Sequence, residues 1–343
     1  MESGELGERR LFETPRIIRR TLFAVGISVG SVLLFFLWMR FRGEETALTL
    51  RFPLYLFPAF GLVILAWFID ALRLSLITRA WQKGISLRDA LTVVLSTHFL
   101  AGITPANTGG GAVEIYLLHK LGFSWGEAGS LSLSCGLLYQ VGFLVLFLLA
   151  PASVSFSLFF KTMFFIFLAY GIGLALFFVL SQNTKLLPGL IEKMVKIPKR
   201  YFPRYAKYDE QTAINAASGF LSEFRSGFQL IFFQKPYYFV LNIVFYALHF
   251  FALFAVTHSI ILALGHNLPL FEVVKLQIPT FFLFRPTPTP GGSGGIELAL
   301  ASTFAPFLGD NHSGTMVFLW RIFTYYATLA TGSIAFLRSI RKV

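Results

Sequence analysis

The sequence predicts an all-α polytopic membrane protein, with about six full transmembrane helices and two re-entrant broken-helix hairpins in an inverted-topology repeat. Three observations lead there. The chain is 55% hydrophobic and only 13% charged, where soluble domains are nearer about a quarter charged. Apolar runs recur at the roughly 20-residue length that spans a bilayer. One block of prolines and glycines, foreign to such runs, occurs twice.

The first run, TLFAVGISVGSVLLFFLWM at 21–39, is too long for a signal-peptide core. It ends in Arg40 and Arg42 with no small-residue cleavage site, so it reads as an anchor. Further full spans read at 53–79, 127–150, 157–181, 237–264 and 315–337. The regions 88–121 and 273–308 are apolar but interrupted midway by Pro and Gly, which fits hairpins that enter and leave on one side.

Basic residues support that topology. Five precede residue 21, three fall at 79–88, then come Lys120, nine in 182–236 and three after 337. The opposite side holds only Arg40, Arg42 and Arg51. Lys and Arg collect on the cytoplasmic side, so both termini are expected there, in a multi-pass protein of the cell (inner) membrane. The segments 151–156, 265–272 and 308–314 then face outward.

The chain reads as a single integral membrane domain, 1–343, with repeats at about 53–150 and 237–337. Their connection, 182–236, mixes cations with Leu, Ile, Phe and Tyr at 186–208, which suits an anionic leaflet. At 209–234, Phe220, Phe224 and Phe228 follow an Asp209 cap at helical spacing, an amphipathic helix.

Several classes are excluded. The net charge of +12 comes without any nucleic-acid module, so anionic phospholipid at the cytoplasmic face is the expected partner and nucleic acid is not. The single cysteine, Cys135, allows no disulfide within the chain. Six histidines lack metal spacing, and P-loop, GxSxG and Rossmann fingerprints are missing, so no metal, cofactor or catalytic residue is expected.

The repeated block carries the functional reading. TPANTGGGAVE (104–114) overlays TPTPGGSGGIE (287–297), with Thr104 on Thr287, Pro105 on Pro288, Gly109 on Gly292, Gly111 on Gly294 and Glu114 on Glu297. Proline removes a donor and glycine permits positive φ, so each first arm stops there and a second restarts. A restarted helix presents N–H groups and a positive dipole end, a ready anion site.

The candidate substrate-binding residues are therefore Thr104, Asn107, Gly109, Gly110, Gly111 and Glu114 in the first block. In the second they are Arg285, Thr287, Gly291, Gly292, Gly294 and Glu297. Arg321 in the last span is a further phosphate candidate, and His98 and Gln140 are candidate cavity residues. Glu114 and Glu297 read as first-turn residues that either compensate the dipole or bind an ammonium group or a proton. Asp70 and Arg73 read as an i,i+3 ion pair. Tyr139, His249, His258, Gln277 and Tyr325 are polar residues expected to bond between helices.

TPANTGGGAVEIYLLHKLGFSWGEA, PTPTPGGSGGIELAL and DALRLSLITRAW together resemble the membrane region of lysylphosphatidylglycerol synthetases and the stand-alone proteins that share only that region. The resemblance spans about 20–340, and departs from it at Glu114, where the family commonly has Arg. It implies a lipid-translocating domain. Because the chain ends at IRKV, the synthetases' aminoacyl transfer is not expected of it. The expected function is a flippase, not an enzyme, moving a phospholipid headgroup, aminoacylated or otherwise amine-bearing lipids included. Two alternatives stay open: a membrane-embedded enzyme on a lipid-linked substrate, and a non-transporting scaffold subunit. The lipid, the direction, the coupling ion and a homo-oligomeric state are also open.

Overall fold

The computed structural model describes residues 50–148, 210–284 and 287–341, with isolated positions between 25 and 30 and between 165 and 173. The spans expected at 21–39 and 157–181, the segment 186–208 and Arg285 lie wholly or mainly outside the described residues.

Every described element is helical. α1 (Leu56–Thr78) enters through a 3₁₀ turn opened by Pro53, whose missing N–H costs nothing at a helix start. It leaves through Arg79–Trp81, where Gln82 turns the chain at φ 57°. α2 (Leu87–Ile103) is capped by Ser86, whose Oγ accepts from Asp89 N at 3.1 Å. α3 (Gly109–Lys120) returns beside α2, and α4 (Trp125–Leu148) follows. After the undescribed stretch come α5 (Glu210–Gln229), a π turn at Leu230–Gln234 and α6 (Pro236–Ala263). α7 (Leu270–Phe284), α8 (Gly295–Arg321), a π turn at Ile322–Tyr326 and α9 (Ala327–Arg341) complete the chain.

Three stretches, Pro53–Trp81, Trp125–Leu146 and Pro236–Ala263, are long and apolar enough to cross a membrane. They coincide with the spans expected at 53–79, 127–150 and 237–264. The interrupted region 88–121 is the pair α2 and α3. The second, 273–308, is α7 and the first part of α8.

Beyond it the structure departs from expectation. The outward loop expected at 308–314 is a kink at one residue, Gly309 (φ 75°, ψ 159°), and the helix continues to Arg321. Ser313 Oγ and Thr315 Oγ1 bond back to the carbonyls of Asp310 and Asn311, so this stretch satisfies itself as helix rather than as loop. The span expected at 315–337 is thus the end of α8, a π turn and the start of α9.

The amphipathic helix expected at 209–234 forms as α5, but it is docked on protein. Phe224 and Phe228 are buried while Phe220 is exposed. Gly126, Gly129 and Gly227 let α4 and α5 close on each other, and Gly126 N donates to Glu223 Oε2 at 3.3 Å.

Two apolar clusters hold the two broken regions. Leu74, Phe99, Leu118 and Phe336 join α1, α2, α3 and α9. Val63, Val256, Phe304 and Trp320 join α1, α6 and α8. α1 therefore packs into both.

Candidate functional site

The two breaks are built by different chemistry. In the first, Thr104 turns extended (φ −112°, ψ 146°) and ends α2. Its hydroxyl donates to Leu100 O at 2.7 Å and accepts from Gly109 N at 2.8 Å, bridging the end of one arm and the start of the next. The left-handed turn between them falls on Ala106 (φ 49°) and Asn107 (φ 58°), neither a glycine. A Cβ on Gly110 would stand 3.2 Å from Thr97 O, so the two arms pack closely there.

In the second break the left-handed positions are glycines: Gly291 (φ 60°), Gly292 (φ 66°) and Gly294 (φ 90°). Thr289 Oγ1 donates to Ser293 O and Ser293 Oγ to Pro290 O, both at 2.8 Å. Glu297 reaches back, and its Oε2 accepts from Gly294 N at 2.8 Å. That is N-capping by a carboxylate in the first turn.

Glu114 differs from the first-turn expectation. With α3 starting at Gly109 it falls in the second turn, too far along to cap. It is buried and accepts from Ser132 Oγ of α4 at 2.8 Å. The restarted helices also offer fewer bare amides than the breaks alone imply. Gly109 N and Gly294 N are taken by Thr104 and Glu297, and Gly292 N by Thr289 O at 3.1 Å.

The breaks meet. Pro105 and Pro290 form an antiparallel bridge. Tyr325 seals the junction: its hydroxyl donates to Gly102 O at 3.0 Å, and its ring fills the space where a Gly291 side chain would stand. Beside them lies a cavity of about 140 Å³, room for several waters. Asn107 lines it from the first break and Gly291 from the second. Its other polar walls come from His98, Tyr139, His249, Arg321, Thr324, Tyr325 and Thr328, with Trp67, Phe281 and Trp320 among the apolar ones.

Arg321 is 1% exposed and holds the second break. Nη1 donates to Gly291 O at 3.1 Å, and Nη2 lies 2.8 Å from Glu297 Oε1. The Nη2 contact is an ion pair by distance without hydrogen-bond alignment, and Nε has no hydrogen-bond partner. A buried guanidinium with spare donors on a cavity wall suits an anionic oxygen.

His98 and His249 on the cavity wall adjoin a second charged cluster. Arg73 Nε donates to Asp70 Oδ1 at 2.7 Å, which is the i,i+3 pair expected from the sequence. Its Nη1 reaches Asn242 Oδ1 and Cys135 Sγ, both at 3.0 Å, and its guanidinium covers the Tyr246 ring at 4.3 Å. Asp70 Oδ2 lies 3.0 Å from His98 Nε2. His98 stacks on His249, whose Nδ1 donates to Ala66 O at 2.9 Å. One ligand atom from each of Asp70, His98 and His249 lies within 4.8 Å of the others, close enough to hold a cation. Sequence spacing did not announce this trio, because its members come from α1, α2 and α6.

Of the candidate binding residues read from sequence, His98, Asn107, Gly291 and Arg321 reach the cavity wall, as do Tyr139, His249 and Tyr325 of the polar residues expected to bond between helices. Thr104, Gly109, Gly110, Gly292, Gly294 and Glu297 shape or brace the breaks. Gly111 is exposed, Thr287 is partly buried, and Gln140 is partly buried away from the wall.

Residues 22–332 match the family described as "Lysylphosphatidylglycerol synthase TM region". A protein of Archaeoglobus fulgidus described as "UPF0104 membrane protein" is 25% identical over 296 residues, covering 84% of this chain and 88% of its own.

Proposed function

The chain belongs to the lysylphosphatidylglycerol synthase transmembrane-region family, and on that premise we propose that it moves a phospholipid headgroup between leaflets, the acyl chains staying in the bilayer. The observation that carries the reading is the meeting of two breaks of matching sequence, Pro105 against Pro290, beside a cavity with a buried and incompletely bonded arginine. Irregular backbone at membrane depth is tolerated where it is buried in protein or lines a wet cavity. Paired broken helices from an inverted repeat are how many transporters build a substrate site near the midplane. In this reading Arg321 meets the phosphate, and His98, held by Asp70, meets an amine or a proton. The six-span count, the re-entrant hairpins and the cytoplasmic termini belong to the same proposal.

A membrane-embedded enzyme is the second reading, favoured by one observation. Asp70 orients a cavity-facing imidazole, the arrangement of a general base. Proteoliposomes containing fluorescent phospholipids, with an impermeant quencher outside, separate the two. Transport predicts label crossing faster than in empty vesicles, the lipid chemically unchanged, and a loss of most of that rate in Arg321→Gln. A modified lipid product without crossing would favour the enzyme and end the flippase reading.

A further inference from the structure

A larger cavity, of about 680 Å³, lies apart from the break junction and shares no lining residue with it. It is a groove between α2, α3 and α9. Each helix supplies a stripe at helical spacing: Arg88, Leu91 and Leu95 from α2, Leu117, Lys120 and Leu121 from α3, Thr331, Ile334 and Arg338 from α9. α2 and α9 are pinned together where Gly332 meets Leu95 O and Phe99, a contact that leaves no room for a side chain. Toward the start of α2 and the end of α9 the helices leave a groove between them.

The cations gather at that end. Arg88 lies in the first turn of α2, Lys120 closes α3 and Arg338 lies in the last turn of α9. All three are exposed, and Lys120 Nζ covers the Tyr116 ring at 5.1 Å. The groove's acid is Asp89, whose Oδ2 is taken by Ser86 Oγ at 2.6 Å. Its hydroxyls are also satisfied: Thr92 and Thr331 bond Arg88 O and Ala327 O, and Ser339 bonds Phe336 O. One end of the groove therefore offers positive charge, and the rest of its lining offers Leu and Ile.

We infer that this groove binds one anionic phospholipid, its phosphate among Arg88, Lys120 and Arg338 and an acyl chain along Leu91, Leu95, Leu117 and Ile334. The volume is within the range of small-molecule sites. Three cations against one occupied carboxylate favour a lipid with net negative charge over a zwitterion, since clustered Lys and Arg near a membrane select anionic headgroups. Arg88, Lys120 and Arg338 hold a lipid whether or not the chain moves one, so this site stands independently of the transport proposal.

Native mass spectrometry of the detergent-purified full chain, with phosphatidylglycerol or phosphatidylcholine added at equal concentration, tests it. The wild type should retain phosphatidylglycerol with at least about tenfold preference, consistent with several cations each contributing at the surface. The triple substitution Arg88→Gln, Lys120→Gln, Arg338→Gln should bring the two lipids within about twofold of each other. Ile334→Trp, which fills the groove and leaves the charges in place, should lose phosphatidylglycerol as well. Equal retention of both lipids by the wild type overturns the inference, as does an undiminished preference in the triple variant. Displacement by millimolar inorganic phosphate would assign the cations to a free anion and overturn the lipid assignment too.

Discussion

The two breaks share a sequence pattern and solve the same problem with different parts. In the second, Glu297 caps the restarted helix and pairs directly with Arg321, which also holds the Gly291 carbonyl. In the first, a threonine hydroxyl does the capping, and Glu114 is left to a serine while Arg73 is committed to Asp70. The second half thus balances one carboxylate with one guanidinium. The first pairs its guanidinium with Asp70 and leaves the buried Glu114 to a neutral hydroxyl. Aligned residues need not share a role: Glu297 is bound into the helix cap and its arginine, and Glu114 is held by a serine from the next helix.

Charge substitutions should give the largest effects. Glu297→Gln leaves Arg321 buried without its counter-charge and should cost about 3–5 kcal/mol, read from thermal unfolding in detergent. Glu114→Gln keeps a carbonyl oxygen for Ser132 and should cost about 1 kcal/mol. A double-mutant cycle sharpens the contrast. Coupling of Arg321 to Glu297 should be about 2–3 kcal/mol, and that of Arg73 to Glu114 well under half of it. Equal couplings would dissolve the distinction between the halves.

Glycine substitutions come next, with opposite signs. Gly291 sits at φ 60° against the Tyr325 ring, so Gly291→Ala should destabilise by about 1–3 kcal/mol and slow lipid movement. Gly111, exposed on α3 with Ser132 Oγ at 3.7 Å as its near neighbour, has room for a methyl group. There Gly→Ala should stabilise by about 0.5–1 kcal/mol. Ala106 carries a left-handed conformation that the second break assigns to glycine. Ala106→Gly removes that strain at some cost in unfolded-state entropy, and a net gain of about 0.5 kcal/mol in the same melts is expected.

The smallest effect concerns the outer ends of the second arms. α3 stops where His119 Nδ1 meets Phe123 O and stacks on Trp125. α8 instead runs past Gly309, where His312 Nδ1 lies 2.6 Å from His266 Nε2. Partial burial, and then the neighbouring His312, hold the His266 imidazole below its ordinary pKa of 6.5. A depressed histidine favours the folded state most when neutral. Its contribution is full above that ordinary value and is lost as pH falls through the folded one. Between about pH 7.5 and 5.5 the melting temperature should fall further in wild type than in His312→Gln.

Legibility in the sequence tracked locality. The apolar runs placed α1, α4 and α6 within a few residues, and Pro and Gly marked both breaks, because these signals lie along the chain. Gly309 reads from sequence as part of a loop, since one positive-φ glycine in a helix looks the same in sequence as a turn. The Asp70–His98–His249 trio and the role of Tyr325 depend on which helices pack together, and no spacing carries that. The contrast between Glu114 and Glu297 was hidden for the same reason. Alignment equates them, and only partners from other helices, Ser132 and Arg321, separate them.

If lipid passes where the breaks meet, as proposed, that contact must open and close. Pro105→Cys with Pro290→Cys, in a Cys135→Ser background, puts two thiols at bridge positions, where backbones come within disulfide range. Flip of a fluorescent phospholipid in proteoliposomes is then measured before oxidation, after oxidation and after reduction. Movement should stop on crosslinking and return with reductant. Lipid that crosses at an unchanged rate through the crosslinked protein would contradict it.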